Sequence, residues 1–154
     1  MADFAIAIVT HEWPRFDEVL DLYYDVLYGP FGVARDAEWY HPAHGSVFAV
    51  AVDGDGGLLG SARLLPPEGE EVRQVRQVVV APAAQGRGIG RALMSAIEEV
   101  AAEQGAVELW LNARYTAFGF YEALGWWFSG PVFESELTGI PHREMRKSLR
   151  DEAA

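Results

Sequence analysis

One segment limits the possible folds of this chain more than any other. Val78-Val79-Val80 passes through Ala81-Pro82-Ala83-Ala84 into Gln85-Gly86-Arg87-Gly88-Ile89-Gly90-Arg91, where an amphipathic stretch begins at once. The β-branched run predicts a strand. Ile89, Leu93, Ile97 and Val100 recur at helical spacing, and Gly105 closes that helix. Three glycines at alternate positions join the two elements. Glycine lets backbone N–H groups approach a ligand with no Cβ in the way. A helix start adds unpaired amides and the positive end of the dipole. Together they describe a phosphate or pyrophosphate site. Arg87 and Arg91 put positive charge there in a chain whose formal net charge is −11.

Several readings of this turn compete. A P-loop needs Gly-Lys followed by Ser or Thr, whereas the sequence is Gly90-Arg91-Ala92, so that reading is rejected. A dinucleotide fingerprint needs G-x-G-x-x-G after a first strand. Here the glycines are spaced Gly86-x-Gly88-x-Gly90, deep in the second half of the chain, which argues against a nucleotide-dependent oxidoreductase. The pattern Q/R-x-x-G-x-G/A is satisfied by Gln85, Gly88 and Gly90. A plain tight turn with glycines for close packing is the structural alternative.

The remaining sequence predicts the order β-α-ββ-β-α-β-α-β-β, a mixed α/β (α+β) architecture. Phe4 to Val9 reads as a strand, and Phe16, Val19, Leu20, Tyr23 and Leu27 as a helix stopped by Gly29-Pro30. Val47 to Val52 and Leu58 to Leu65 form a hairpin about Asp53-Gly54-Asp55-Gly56-Gly57. Val72 to Val80 and Val107 to Leu111 are further strands, and Ala117, Phe120, Tyr121 and Leu124 share one face of a short helix. The last strands are placed near Trp126 to Gly130 and Glu144 to Leu149. Residues 1–150 are expected to form a single domain, with 151–154 a frayed tail.

Composition narrows the function. There are no cysteines, which excludes disulfides, thiolate metal sites and a cysteine nucleophile. A reducing, cytoplasmic location fits that usage. No signal peptide or membrane-length apolar run is expected. The acidity argues against nucleic acid and favours a cationic partner such as an amine, although solubility alone also accounts for it. Asp53 to Gly57 lacks the downstream glutamate of a calcium loop, and His41 and His44 lack further ligands, so no metal is expected. Trp126 and Trp127 are read as an exposed pair lining a pocket or a dimer surface, or else as core and rim.

With the turn and two further blocks, the chain resembles the GNAT superfamily of N-acetyltransferases. The first block is Asn112 followed by Ala117-x-x-Phe120-Tyr121-Glu122-x-Leu124-Gly125-Trp126, with Trp126 in place of the usual Phe or Tyr. The second, Phe133-x-x-x with Gly139-Ile140-Pro141-His142-x-x-Met145, is similar to the C-terminal G-I-P-H-x-x-M signature of a bacterial single-domain subgroup. The resemblance spans residues 45 to 149. It implies a mostly antiparallel seven-stranded sheet, splayed between its fourth and fifth strands, and acetyl-coenzyme A as co-substrate. It also implies a primary-amine acceptor, small molecule or protein, and allows a homodimer. Its cofactor residues here would be Val78 and Val80 through their backbones, then Gln85, Gly86, Arg87, Gly88, Gly90, Arg91 and Asn112.

Acetylating an amine requires a proton acceptor, stabilisation of the thioester oxygen and a proton for the departing sulfur. Deprotonating an alkylammonium of pKa about 10.4 at neutral pH costs about 4–5 kcal/mol. The absence of cysteine favours direct attack in a ternary complex. The resemblance makes Tyr121 the general acid, although Tyr121 also lies on an apolar stripe. Glu134 and His142 are candidate bases. Glu68, Glu70 and Glu71 are a solvated charge run or a lure for a cation. Arg114 is either a ligand group or a surface charge. A coenzyme-A-binding module without turnover is the alternative function.

Overall fold

A computed structural model describes residues 3–36, 44–69 and 71–150 of the 154. The predicted tail at 151–154, Trp39, His41 and Glu70 lie outside the described residues. The elements are β1 (Phe4–Val9), α1 (Phe16–Leu22), β2 (Val47–Asp53), β3 (Leu58–Leu64), β4 (Val72–Val80), α2 (Ile89–Glu103), β5 (Glu108–Arg114), α3 (Phe118–Ala123), β6 (Trp127–Glu134) and β7 (Pro141–Ser148). Their order is the predicted one. All seven strands join one sheet in the order β1-β2-β3-β4-β5-β7-β6, antiparallel except at β4–β5.

β2 shows how the sheet is clad. Phe48 and Val50 face α1, packing with Phe16, Val19 and Tyr23. The alternate residues Ala49 and Ala51 face α2 and its stripe of Ile89, Leu93, Met94, Ile97 and Ala101. This is the period-2 alternation of a strand covered on both faces. The stripe on α2 differs in detail from the predicted one: Met94 and Ala101 are fully buried, and Val100 is half-buried at its margin.

Two boundaries depart from the sequence reading. The first helix widens after Leu22 into a π-helical turn, Tyr23–Tyr28, before the predicted stop at Gly29. The C-terminal strands are longer than predicted, because β6 and β7 pair as far as Glu134↔Pro141. Trp126 and Trp127 are not an exposed pair. Trp126 is 3% exposed and packs edge-on against Tyr121, while Trp127 is 45% exposed on β6. No helix among the described residues is long and apolar enough to cross a membrane.

Candidate active site in the gap between β4 and β5

β4 and β5 run in parallel and pair over only three positions: Val72↔Glu108, Arg73↔Leu109 and Gln74↔Trp110. Beyond Gln74 and Trp110 they separate. Two features of β4 accompany the separation. Ser61 faces Val79 and Arg63 faces Arg76, so Ala62 of β3 lies opposite two residues of β4, Gln77 and Val78. The extra residue is a β-bulge, which bends its strand. At the bulge Gln77 has φ of 52°, the one non-glycine residue with positive φ among those described. Such a conformation costs roughly 1–3 kcal/mol and persists only where neighbours enforce it. Gln77 is held at both ends of its amide: Arg63 Nη1 donates to Oε1 at 3.2 Å, and Nε2 donates to Tyr28 Oη at 3.2 Å.

The gap leaves a cavity of about 560 Å³ at the carboxyl ends of the two parallel strands. That is where ligands bind in open α/β sheets. Its walls are β4 from Gln74 to Val80, β5 from Leu111 to Arg114, the π turn at Val26 to Tyr28, and Tyr121, Phe133 and His142.

The backbone of β4 presents hydrogen-bonding groups to this space. Ala81 N–H donates to Leu59 O at 2.8 Å, so Val79 and Ala81 face β3. Alternate residues of an antiparallel ladder turn their amides the other way, which leaves that of Val80 directed into the gap, and Val78, at the bulge, also lines it. At one end of the cavity, beside Gln85, the chain turns into α2. Gly86 and Gly88 have φ of 85° and 81°, and a Cβ on either would meet nothing within 4 Å. Ala92 N–H is the first to reach back, donating to Gly88 O at 3.1 Å. The amides of residues 89–91 precede it, and neither a side chain nor an acidic first-turn residue caps them. Open space around the uncapped start of a fifteen-residue helix is an arrangement that can accept an anion. Gly90 also allows a close approach: a Cβ there would lie 3.1 Å from Phe120 Cζ.

The two arginines differ. Arg87 is ion-paired with Asp3 and lies 3.6 Å from Asp53, whereas Arg91 is exposed with no ion pair among the described residues. The paired guanidinium holds the Asp3 carboxyl below the usual carboxylate range.

The candidate catalytic residues also separate. Tyr121, 6% exposed, reaches the cavity from α3 and packs edge-on against Phe120 and Trp126. Burial pushes its phenol well above the ordinary value, so it stays protonated. His142 is half-buried and stacks on Phe133, with ring centroids 5.8 Å apart. Its Nδ1 lies 2.7 Å from Ile140 O. A carbonyl only accepts, so Nδ1 carries the proton and Nε2 keeps its lone pair. Burial, and secondarily the charge of Arg114, lower the pKa of this imidazole below its ordinary value. Glu134 is exposed and does not line the cavity: Phe133 and Ser135 turn in, and the residue between them turns out. Glu68 and Glu71 do not line it either.

Asn112 lines the gap, as expected. Arg114, left open by the sequence, is half-buried beside His142, its cross-strand partner. Sequence reasoning did not find Gln77, whose role rests on contacts with Arg63 and Tyr28 far away in the chain. It also did not find the π turn, whose apolar periodicity continues that of an ordinary helix. Among the described residues no group of three or more His, Asp or Glu side chains is arranged to hold a metal ion. Of the His41/His44 pair, His44 packs edge-on against His11 at 4.4 Å.

Comparison with known proteins agrees with this geometry. Residues 13–126 match the model of the acetyltransferase (GNAT) family. A streptothricin acetyltransferase of Streptomyces lavendulae is 37% identical over 84 residues, which are 53% of this chain and 44% of that protein. The chain thus spans less than half the length of that curated relative. An acyl-CoA N-acyltransferase from Pseudomonas aeruginosa shares the fold with a TM-score of 0.79 at 22% identity, covering 94% of this chain and 99% of its own. An aminoglycoside 6'-N-acetyltransferase complexed with coenzyme A does so with a TM-score of 0.76 at 19% identity, covering 95% and 98%.

Proposed function

The chain belongs to the acetyltransferase (GNAT) family, and from that membership we propose that it is an acetyl-coenzyme-A-dependent N-acetyltransferase acting on a primary amine. The observation that carries the reading is the β4–β5 gap, whose lining runs from Gln85, in the turn before α2, to Tyr121 and His142. The fit to acetyl-coenzyme A is chemical. The amides of residues 89–91, with Gly86 and Gly88 offering no Cβ, suit a diphosphate. The backbone groups of Val78 and Val80 suit the amides of a pantetheine arm laid along β4 as an added strand. Asn112 in the cavity lining and Arg91 in the first turn of α2 are assigned to assist, as is Arg87 once Asp3 and Asp53 release it.

Both chemical roles fall on this chain's own residues. His142 Nε2 takes the proton of the acceptor amine, directly or through one water. Its lowered pKa keeps it unprotonated at neutral pH and able to do so. The amine nitrogen bonds to the acetyl carbon, and the carbon–sulfur bond breaks. Tyr121, kept protonated by burial, donates to the departing sulfur. The absence of cysteine in the chain favours direct attack in a ternary complex over a covalent acyl-enzyme route. The similar proteins named for streptothricin and aminoglycosides support a small-molecule amine as acceptor. His142 and Tyr121 in the lining of one cavity favour turnover over a module that only binds.

The test is calorimetric titration with coenzyme A and with NAD, followed by thiol release from acetyl-coenzyme A over a panel of amines. Coenzyme A should bind and NAD should not. Initial-velocity lines should intersect when both substrates are varied. Parallel lines would exclude the ternary complex, and NAD binding without coenzyme A binding would overturn the whole reading.

A further inference from the structure

The described lining of the cavity holds Arg76, Arg114 and His142 but no aspartate or glutamate. This runs against a chain in which Asp and Glu number 23 and Lys and Arg 12. Among the described residues acids are thus absent from the lining of this cavity, and Glu144 lines a smaller neighbouring one that shares Asn112 and Phe133 with it. A polyammonium acceptor would meet two guanidiniums there and no countercharge.

Arg114 is the better placed of the two cations. Its Nη2 donates to Leu27 O at 2.6 Å, and its guanidinium lies 5.1 Å from the centroid of the Phe31 ring. These contacts fix the side chain and leave most of its N–H donors unused. Among the described residues no carboxylate pairs with it. Burial disfavours its charge, and of the described groups Tyr28 offsets this in part while no carboxylate does. A half-buried guanidinium, fixed, unpaired and facing a cavity, is a ready partner for a planar or tetrahedral oxyanion. It also stands directly across from His142 in the β5–β7 register.

We infer that the acceptor amine also carries an oxyanion group, a carboxylate or a phosphate, and that Arg114 seats this group while His142 faces the amine. The inference rests on the transferase reading above. Cross-strand side chains start about 5 Å apart, so amine and anion are separated by a short spacer. The reaction itself is unaltered: nitrogen bonds to the acetyl carbon, sulfur leaves as the thiol, the amine proton passes to His142, and the anion keeps its charge.

The experiment has a binding arm and a turnover arm. Glycine, β-alanine and phosphoethanolamine are compared with propylamine, β-alanine amide and spermidine. Binding is measured calorimetrically on protein saturated with coenzyme A, and turnover by thiol release from acetyl-coenzyme A. The anionic amines should exceed the neutral ones in kcat/KM by at least about tenfold, the worth of one charge-assisted pair. Carboxylate and phosphate members of the panel identify the source of the anion. In Arg114→Gln that ratio should fall to near one, mainly through KM, while Arg114→Lys should keep part of it. Coenzyme A titration of each variant confirms an intact fold. Neutral amines or spermidine matching the anionic ones would overturn the inference and leave the transferase reading standing. Anionic amines that bind through Arg114 without any turnover would overturn the transferase reading and leave the anion site. Neither binding nor turnover would sink both.

Discussion

Replacing Gly88 with alanine separates the backbone cost of the glycine turn from its use. Gly88 has φ of 81°, and a Cβ there meets nothing within 4 Å, so there is no clash to relieve. The left-handed conformation costs a non-glycine residue about 1–2 kcal/mol. Reduced freedom of the unfolded chain returns about 0.4–1 kcal/mol. The net loss is about 1 kcal/mol, or roughly 2–4 °C in Tm for a chain of this size. Gly105 provides the control: its φ is 94°, its Cβ position is equally open, and it follows the other end of α2. That end is about 22 Å away at 1.5 Å per residue. The open space at Gly88, unlike that at Gly105, borders the proposed diphosphate. A methyl group there should cost one or two amide–phosphate bonds at about 1.5–3 kcal/mol each. Kd for coenzyme A should therefore rise at least about tenfold in Gly88→Ala. It should stay within about twofold of the native value in Gly105→Ala, with both variants losing similar Tm. Calorimetry and thermal denaturation read the two quantities. Equal weakening in both variants, or none in Gly88→Ala, would refute the proposed diphosphate site.

Other expectations follow from the site. His142 must be neutral to accept a proton, so kcat/KM should rise with pH through an inflection below the ordinary histidine value; an inflection at or above it refutes the base. The same lowered pKa means that in acid the unfolded chain holds more protons than the folded one. The contribution of His142 to stability is thus complete above the ordinary value and declines as pH falls through the lowered one, which His142→Gln should flatten in denaturant titrations across pH. Tyr121→Phe retains the ring packing on Phe120 and Trp126 and should lower kcat by about 10²–10⁴ with little change in Tm; unchanged kcat would remove the proposed acid. Asp3→Asn removes the nearer of the two acidic partners of Arg87 and should lower Kd for coenzyme A, by less as salt rises; a weaker complex would show that the pair supports the turn instead.

The strand, glycine turn and helix at Val78 to Glu103 were legible because each signal is local: β-branched residues, alternate glycines, then apolar residues at helical spacing. The order of elements was legible for the same reason. What escaped depends on partners remote in sequence. Gln77 sits in a run that alternates like any strand, and its positive φ depends on Arg63 and Tyr28 gripping its amide. Arg87 carries the charge an anion needs, yet its partner Asp3 lies eighty-four residues away. Glu134 and His142 were equal candidates until the pairing of β6 with β7 turned one outward and the other in. Arg114 could be placed only once the β5–β7 register set it opposite His142.

The short seam between β4 and β5 has a consequence for how such a protein diversifies. Three residue pairs stitch together two leaves of the sheet, β1–β4 on one side and β5-β7-β6 on the other. The first leaf, with α2, carries the surface suited to a nucleotide thioester. The second contributes Arg114, His142 and the connection holding Ser135, Leu137 and Thr138, whose turn closes on itself through Ser135 N–H to Ile140 O and Gly139 N–H to Ser135 O. Mutations in that connection can reshape what is recognised while the acyl donor's berth stays as it was, so choice of acceptor and grip on donor are free to drift separately.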